Sequence, residues 1–170
     1  MMDFEPKPQR TAMESKSRWE TVYSSQSADA VSWYQPISGA ALDLARNRLA
    51  DQVQRVHWIE GDITRGELAE SADDIWHDRA VFHFLTDPAD RPACVAQVRR
   101  SVRPGGNVIV LAFGWDGPTQ CSGLPVVRYT PDALHAQFGG AFELLEHLSE
   151  DHHTPSGAVQ QFVYCHCVMH

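Results

Sequence analysis

A chain of 170 residues is long enough to bury one sizeable core, so a single domain is expected. Its 14 Lys and Arg against 22 Asp and Glu leave a net charge of −8 without any basic run, which argues against nucleic acid or an anionic membrane as the main partner. No apolar stretch approaches the roughly 20 residues that span a bilayer, and four cysteines in this length suit reduced, cytoplasmic thiols better than a secreted disulfide scaffold.

The first 14 residues are polar and lack the apolar core of a secretory signal; they read as a mobile leader, with one domain over residues 15–170. Residues 14–23 predict a short helix, with Ser17 and Glu20 in capping-box spacing. Trp19, Tyr23, Trp33 and Tyr34 then form an aromatic group. Two readings stay open for it: rings that pack the lead-in onto the body, or a lid over a ligand. From Ser38, Ala41, Leu42, Ala45 and Leu49 follow the spacing of one helical face.

"VHWIEGDIT" predicts a short strand ending in a polar turn, and "DDIWHDRAVFHFL" a second strand giving way to a turn and a short apolar helix. Residues 88–102 predict a helix, with Pro88 near its first turn and Val95, Val98 and Val102 on one face. "RPGGNVIVLAF" ends that helix, turns at Pro104-Gly105-Gly106 and enters a strand over residues 108–113. The unbroken apolar run suits a strand buried on both sheet faces. "YTPDALHAQF" predicts another helix, with Thr130 as its cap and Pro131 at its first position. Residues 142–148 and 158–168 predict a closing antiparallel hairpin. The alternation of helices and strands indicates a three-layer α/β sandwich.

Taken together, residues 19–23, 32–35, 74–86 ("DIWHDRAVFHFLT" within them), 102–106 and 121–129 ("CSGLPVVRY") resemble the class I S-adenosylmethionine-dependent methyltransferases, in a bacterial small-molecule subgroup. The resemblance covers most of residues 15–168. It implies a Rossmann-like methyltransferase fold, here with a shortened sheet and a C-terminal antiparallel hairpin, and S-adenosylmethionine as cofactor. It also implies a small-molecule acceptor.

The resemblance further implies that Asp62 meets the adenine amino group while Ile63 covers the ring; the plainer reading of Asp62 is a solvated turn residue. His77, Asp78 and Arg79 fall at the carboxyl edge of a family strand, where open α/β sheets bind ligands. They would hold the methionine end or the acceptor, or form a salt-bridged corner. His83 reads as a core histidine, and Arg128 is available to an anionic ligand. Cys165, His166, Cys167 and His170 raise a metal site, but alternation along a strand turns His166 away from the two thiols. No metal is assigned.

One departure dominates. Family members place a strand, a D-x-G-G-G type loop, a helix and an acid-terminated strand between "SWYQP" and the helix that begins "IS". Here Pro36 runs directly into Ile37-Ser38-Gly39. About one βαβ unit, some 30 residues, is missing. Glycines there let backbone N–H groups reach the methionine carboxylate and ribose. Each charged hydrogen bond contributes about 1.5–3 kcal/mol, so losing several implies impaired cofactor use. The alternative is a non-catalytic methyltransferase-like binding domain. A sheet without its central strands also leaves an open edge, which predicts pairing with a second copy.

Overall fold

The structure is a computed structural model that describes residues 39–59, 61–154 and 157–170. The leader, the helix over residues 14–23 and the aromatic residues Trp19, Tyr23, Trp33 and Tyr34 lie outside the described residues. Those described fall into two compact units, divided at Gly61.

In the first unit, α1 (Gly39–Leu49) forms as its spacing predicts and runs into a 3-10 turn at Ala50–Arg55. Ala45 and Leu49 are half-buried while Asp43, Arg46, Asn47 and Arg48 face solvent. Asp43 and Arg46 form an ion pair at 3.2 Å, one turn apart on the exposed face. Arg46 also lies over the Trp58 ring at 5.3 Å. The expected strand at "VHWIE" does not form: residues 56–59 have no regular structure, and Val56, His57 and Ile59 are exposed. Alternating apolar residues make a strand only when another strand supplies hydrogen-bond partners, and none does here among the described residues.

The second unit is built on a four-stranded sheet. Its strands are β1 (Asp73–Arg79), β2 (Val102–Phe113), β5 (Phe142–His153) and β6 (Val159–Met169), in the order β1-β2-β6-β5. β1 and β2 are parallel, joined by α2 (Asp90–Ser101). β6 returns antiparallel to β2, and β5 antiparallel to β6, as the hairpin reading expects. A two-residue-strand hairpin, β3 (Gln120–Cys121) and β4 (Leu124–Pro125), and the helix α3 (Pro131–Phe138) lie between β2 and β5.

Local chemistry fixes several of these boundaries. The Thr130 side chain accepts from the Ala133 N–H at 3.2 Å, with Pro131 just inside the helix. α2 begins at Asp90, two residues after Pro88, because the Asp87 carboxylate takes the Ala89 N–H at 2.8 Å and ends the preceding turn there. The Pro104-Gly105-Gly106 turn is a bulge inside β2: Val102 pairs with Asp73 and Asn107 with Ile75, leaving residues 103–106 opposite Asp74 alone. Gly105 has φ +79°. A Cβ on Gly106 would stand 2.8 Å from the Arg103 carbonyl and 3.1 Å from that of Asp74, so only glycine lets this turn press onto β1.

Strand alternation sorts the sheet into two faces. Val108, Val110 and Ala112 of β2 and Val163, Cys165 and Cys167 of β6 meet α2 through Cys94 and Val98, and α3 through Leu134 and Phe138. Phe82, Tyr129 and Phe142 complete this larger cluster. On the opposite face Phe113 and Phe162 pack with Ala80 and Cys121, and with the half-buried Phe84, Val126 and Tyr164. The fold is therefore an α/β architecture around an open central sheet. Among the described residues of this unit both α-helices cover the same face.

Candidate active site at the carboxyl end of β1

β1 and β2 are parallel, so their carboxyl ends share one edge, and there the chain turns sharply. Ala80 follows β1 in a left-handed conformation, φ +60°, although it is not glycine. Its amide donates to the Leu111 carbonyl at 3.1 Å, which holds the strained residue against β2. A short 3-10 turn, Phe82–Phe84, comes next.

Asp78 organises that corner. It is buried, and one carboxylate oxygen accepts from the Val81 and Phe82 amides at 3.2 and 3.3 Å. Burial outweighs those two bonds and raises its pKa to about 6. The carboxyl group therefore changes charge close to neutrality. Its neighbours in sequence do not join it. Asp78 lies on the helix-covered face with Trp76, while His77 and Arg79 point to the other side and are exposed. Arg79 there acts on the Tyr164 phenol, which also bonds Glu150. The predicted trio is thus split across the sheet by the two-residue period of the strand.

Asp62 and Ile63 belong to a turn preceding β1. Asp62 Oδ1 accepts from the Thr64 amide at 2.9 Å and the Thr64 hydroxyl at 2.7 Å, and Oδ2 lies 3.7 Å from Arg65. This is an Asx turn, and the Asp62 side chain remains half-exposed. Ile63 packs against the larger cluster. The segment is tied to α2, where Ser71 donates to the Arg100 carbonyl and Arg100 Nε to the Leu68 carbonyl.

Cys94 of α2 is buried in the larger cluster. Its thiol is pushed up to about 12 by burial first, then by the charges of Asp78 and Asp62. Ile63 shares the larger cluster with Cys94 and with Phe82, whose amide donates to Asp78. His77 and Arg79 lie on the far face.

His83 is fully buried, as its apolar neighbours suggest. Its Nδ1 accepts from the Phe113 amide at 3.3 Å, and its ring stacks on Phe113 with centroids 4.3 Å apart and 2° between planes. Burial lowers its pKa to about 3, so the ring is neutral. Its Nε2 has no partner among the described residues, so this core histidine is satisfied on one side only. Arg128 acts as a loop clamp: Nη1 donates to the Trp115 carbonyl at 2.7 Å and the Gly117 carbonyl at 3.3 Å, and the guanidinium lies over the Trp115 ring.

Two features at this corner are not evident from composition or motif. The left-handed Ala80 carries no sequence signal. The separation of Asp78 from His77 and Arg79 does carry one, in strand alternation. In the tail, Cys165 and Cys167 are buried toward the helices while His166 on the other face meets Asn107 at 2.8 Å. No group of three or more His, Cys, Asp or Glu side chains is placed to hold a metal among the described residues. None of the described helices is long and apolar enough to cross a membrane.

An adenine nucleotide needs an apolar surface for its ring and an acceptor for its amino group. Ile63 offers an apolar surface, and Asp62 an exposed carboxylate whose Oδ2 carries only a long ionic contact. Among the described residues this corner has no glycine-rich strand-to-helix turn.

Residues 26–106 match the sequence profile of a methyltransferase domain. Solved structures with the same fold include a SAM-dependent methyltransferase from Methanosarcina mazei, with a TM-score of 0.60 and 13% identity over 79% of this chain and 80% of that one. Another is the 1,6-didemethyltoxoflavin-N1-methyltransferase of Burkholderia thailandensis, with bound 1,6-didemethyltoxoflavin and S-adenosylhomocysteine. It has a TM-score of 0.58 and 16% identity over 78% of this chain and 58% of that one. A third is the N-methyltransferase NodS of Bradyrhizobium japonicum with S-adenosylhomocysteine, at 0.58 and 13%, over 79% and 64%. The chain therefore spans less than two thirds of the latter two proteins. No curated protein matches it. The chain has the fold of the S-adenosylmethionine-dependent methyltransferases, and its residues 26–106 carry the methyltransferase-domain match.

Proposed function

We propose that the chain is a methyltransferase domain acting on a small molecule, with S-adenosylmethionine at the carboxyl end of β1, and that it holds this cofactor weakly. The observation that carries the reading is the corner at the carboxyl end of β1, where the buried Asp78 accepts from the Val81 and Phe82 amides and Phe82 shares the larger cluster with Ile63. Such edges are where open α/β sheets take their ligands. The domain match and the two neighbours with bound S-adenosylhomocysteine support the choice of cofactor.

In this reading Asp62 accepts from the adenine amino group, and Ile63 covers the ring. Asp78, when ionised, faces the methionine ammonium. His77 and Arg79 lie on the opposite face of the strand. When bound, the sulfonium brings an already activated methyl group. The protein's share is to bring acceptor and methyl group together in line.

The weak hold follows from Pro36 running directly into the helix at Gly39. Losing three or four charged hydrogen bonds at about 1.5–3 kcal/mol each lowers affinity by several powers of ten. Calorimetric titration with S-adenosylhomocysteine tests both parts. Saturable heat confined to millimolar ligand is expected. Micromolar binding would mean that another segment replaces the missing cradle. No heat at millimolar ligand would favour a non-catalytic binding domain.

A further inference from the structure

We propose, resting on the methyltransferase reading, that Trp115 is the platform on which the methyl acceptor stacks, and that the acceptor is a flat aromatic molecule. β2 ends at Phe113, where the chain leaves the sheet and later returns to the same point. Gly114 bridges to Tyr129, whose amide donates to the Phe113 carbonyl at 2.9 Å. Residues 114–129 thus form a loop whose ends meet, a class that frequently carries function. Because β1 and β2 are parallel, the loop rises from the same carboxyl edge as the corner that Asp78 organises. It is also tied to the turn after β1: the Val127 amide donates to the His83 carbonyl at 2.8 Å, and Cys121 packs with Ala80.

The backbone around Trp115 is held from two sides. From β6, the Gln161 carbonyl accepts from the Gly114 amide at 2.9 Å, and the Gln161 side-chain oxygen accepts from the Asp116 amide at 3.2 Å. A Cβ on Gly117 would stand 2.7 Å from the Gln161 carbonyl, so glycine is needed for the loop to lie this close to β6. From within the loop, Arg128 donates to the Trp115 and Gly117 carbonyls. None of these bonds packs the indole away. Trp115 is 61% exposed, although an indole is among the largest apolar surfaces a protein can bury.

The guanidinium of Arg128 lies over one face of the ring, 5.4 Å from its centroid. That contact both orients the indole and occupies one side of it. A flat ligand on the other side completes a layer of guanidinium, indole and ligand. Offset stacking rewards ring against ring and gives little to a puckered aliphatic ring of the same size. A platform of this kind therefore selects by shape. Leu145, Leu148 and Val159 are also exposed, but they are aliphatic and present no face for stacking.

Nuclear magnetic resonance of the full chain with nitrogen-labelled tryptophan gives the test. The chain has five tryptophans, and Trp115→Phe identifies the Trp115 indole signal by its loss. Naphthoate, added without cofactor, should move that signal to saturation. Cyclohexanecarboxylate carries the same charge on a puckered ring and should bind about tenfold more weakly. Trp115→Ala should weaken naphthoate binding by about tenfold in calorimetry, while Trp115→Phe keeps most of it. Circular dichroism confirms that each variant is folded. A Trp115 signal that naphthoate leaves unmoved would overturn the proposal, as would equal affinity for the two acids or unchanged binding by Trp115→Ala. Titration with S-adenosylhomocysteine separates this from the wider reading. Its binding beside an unmoved Trp115 would remove the platform and leave the methyltransferase reading. A moving Trp115 in a chain that does not bind it would keep the platform, on a non-catalytic binding domain.

Discussion

Among the described residues one carboxylate and one imidazole are buried, on opposite sides of the central sheet, and burial acts on them in opposite ways. Behind the helix-covered face, Asp78 sits in the larger cluster with two amide donors and is pushed toward its protonated form. Across the sheet, His83 lies in the aromatic cluster against Phe113 and is pushed toward its unprotonated form. Burial is the first cause in both cases. An apolar surrounding disfavours charge of either sign, so the acid gains a proton and the base loses one. The difference lies in what else is present: Asp78 has donors that partly offset burial, whereas His83 has one neutral backbone partner and an aromatic ring.

The comparison breaks most visibly in acid. The unfolded chain protonates His83 near pH 6.5 and the folded chain only near 3, so its contribution is complete above 6.5 and is lost as pH falls. The loss reaches about 4–5 kcal/mol by pH 3. Urea unfolding at a series of pH values reads it, and His83→Gln should flatten that limb. Next in size is Phe113→Ala, which removes the stacking partner and opens a cavity; a loss of about 3–5 kcal/mol is expected in the same measurement.

Asp78 gives the smallest effect and the opposite slope. Its folded pKa of about 6 stands above the ordinary 3.8, so stability is greatest below 3.8 and falls as pH rises through 6. The cost above pH 6 is about 3 kcal/mol. Between pH 4 and 6 the two groups oppose one another, so the parent's stability should vary little. Asp78→Asn should raise stability at pH 7 and expose the uncompensated His83 slope between 4 and 6. A variant whose pH profile matches the parent's would mean that this carboxyl group titrates normally.

The parts of the fold legible in the sequence are those where a local rule and the packing agree. Thr130-Pro131 caps a helix whose apolar residues also meet the sheet, and Pro104-Gly105-Gly106 makes a turn that the approach to β1 requires. The closing hairpin reads from its apolar alternation. Residues 56–59 show the limit of that reading, because alternation describes which faces a strand would present and says nothing of whether a neighbour exists. The resemblance singles out Asp62, Ile63, His77, Asp78 and Arg79 alike, and the strand period separates Asp78 from His77 and Arg79. The contact of His83 with Phe113, thirty residues onward, has no local signature. Nor has the left-handed Ala80. The β3–β4 turn did have one: Ser122 and Gly123 both take positive φ, as a two-residue hairpin needs.

The proposed cofactor edge would keep its adenine side and lack the cradle for the rest. Amide chemical shifts followed during titration with S-adenosylhomocysteine test this most directly. The account predicts changes at Asp62, Ile63 and Asp78 that are still rising at millimolar ligand. Saturation at micromolar ligand, or changes that avoid these residues, would contradict it.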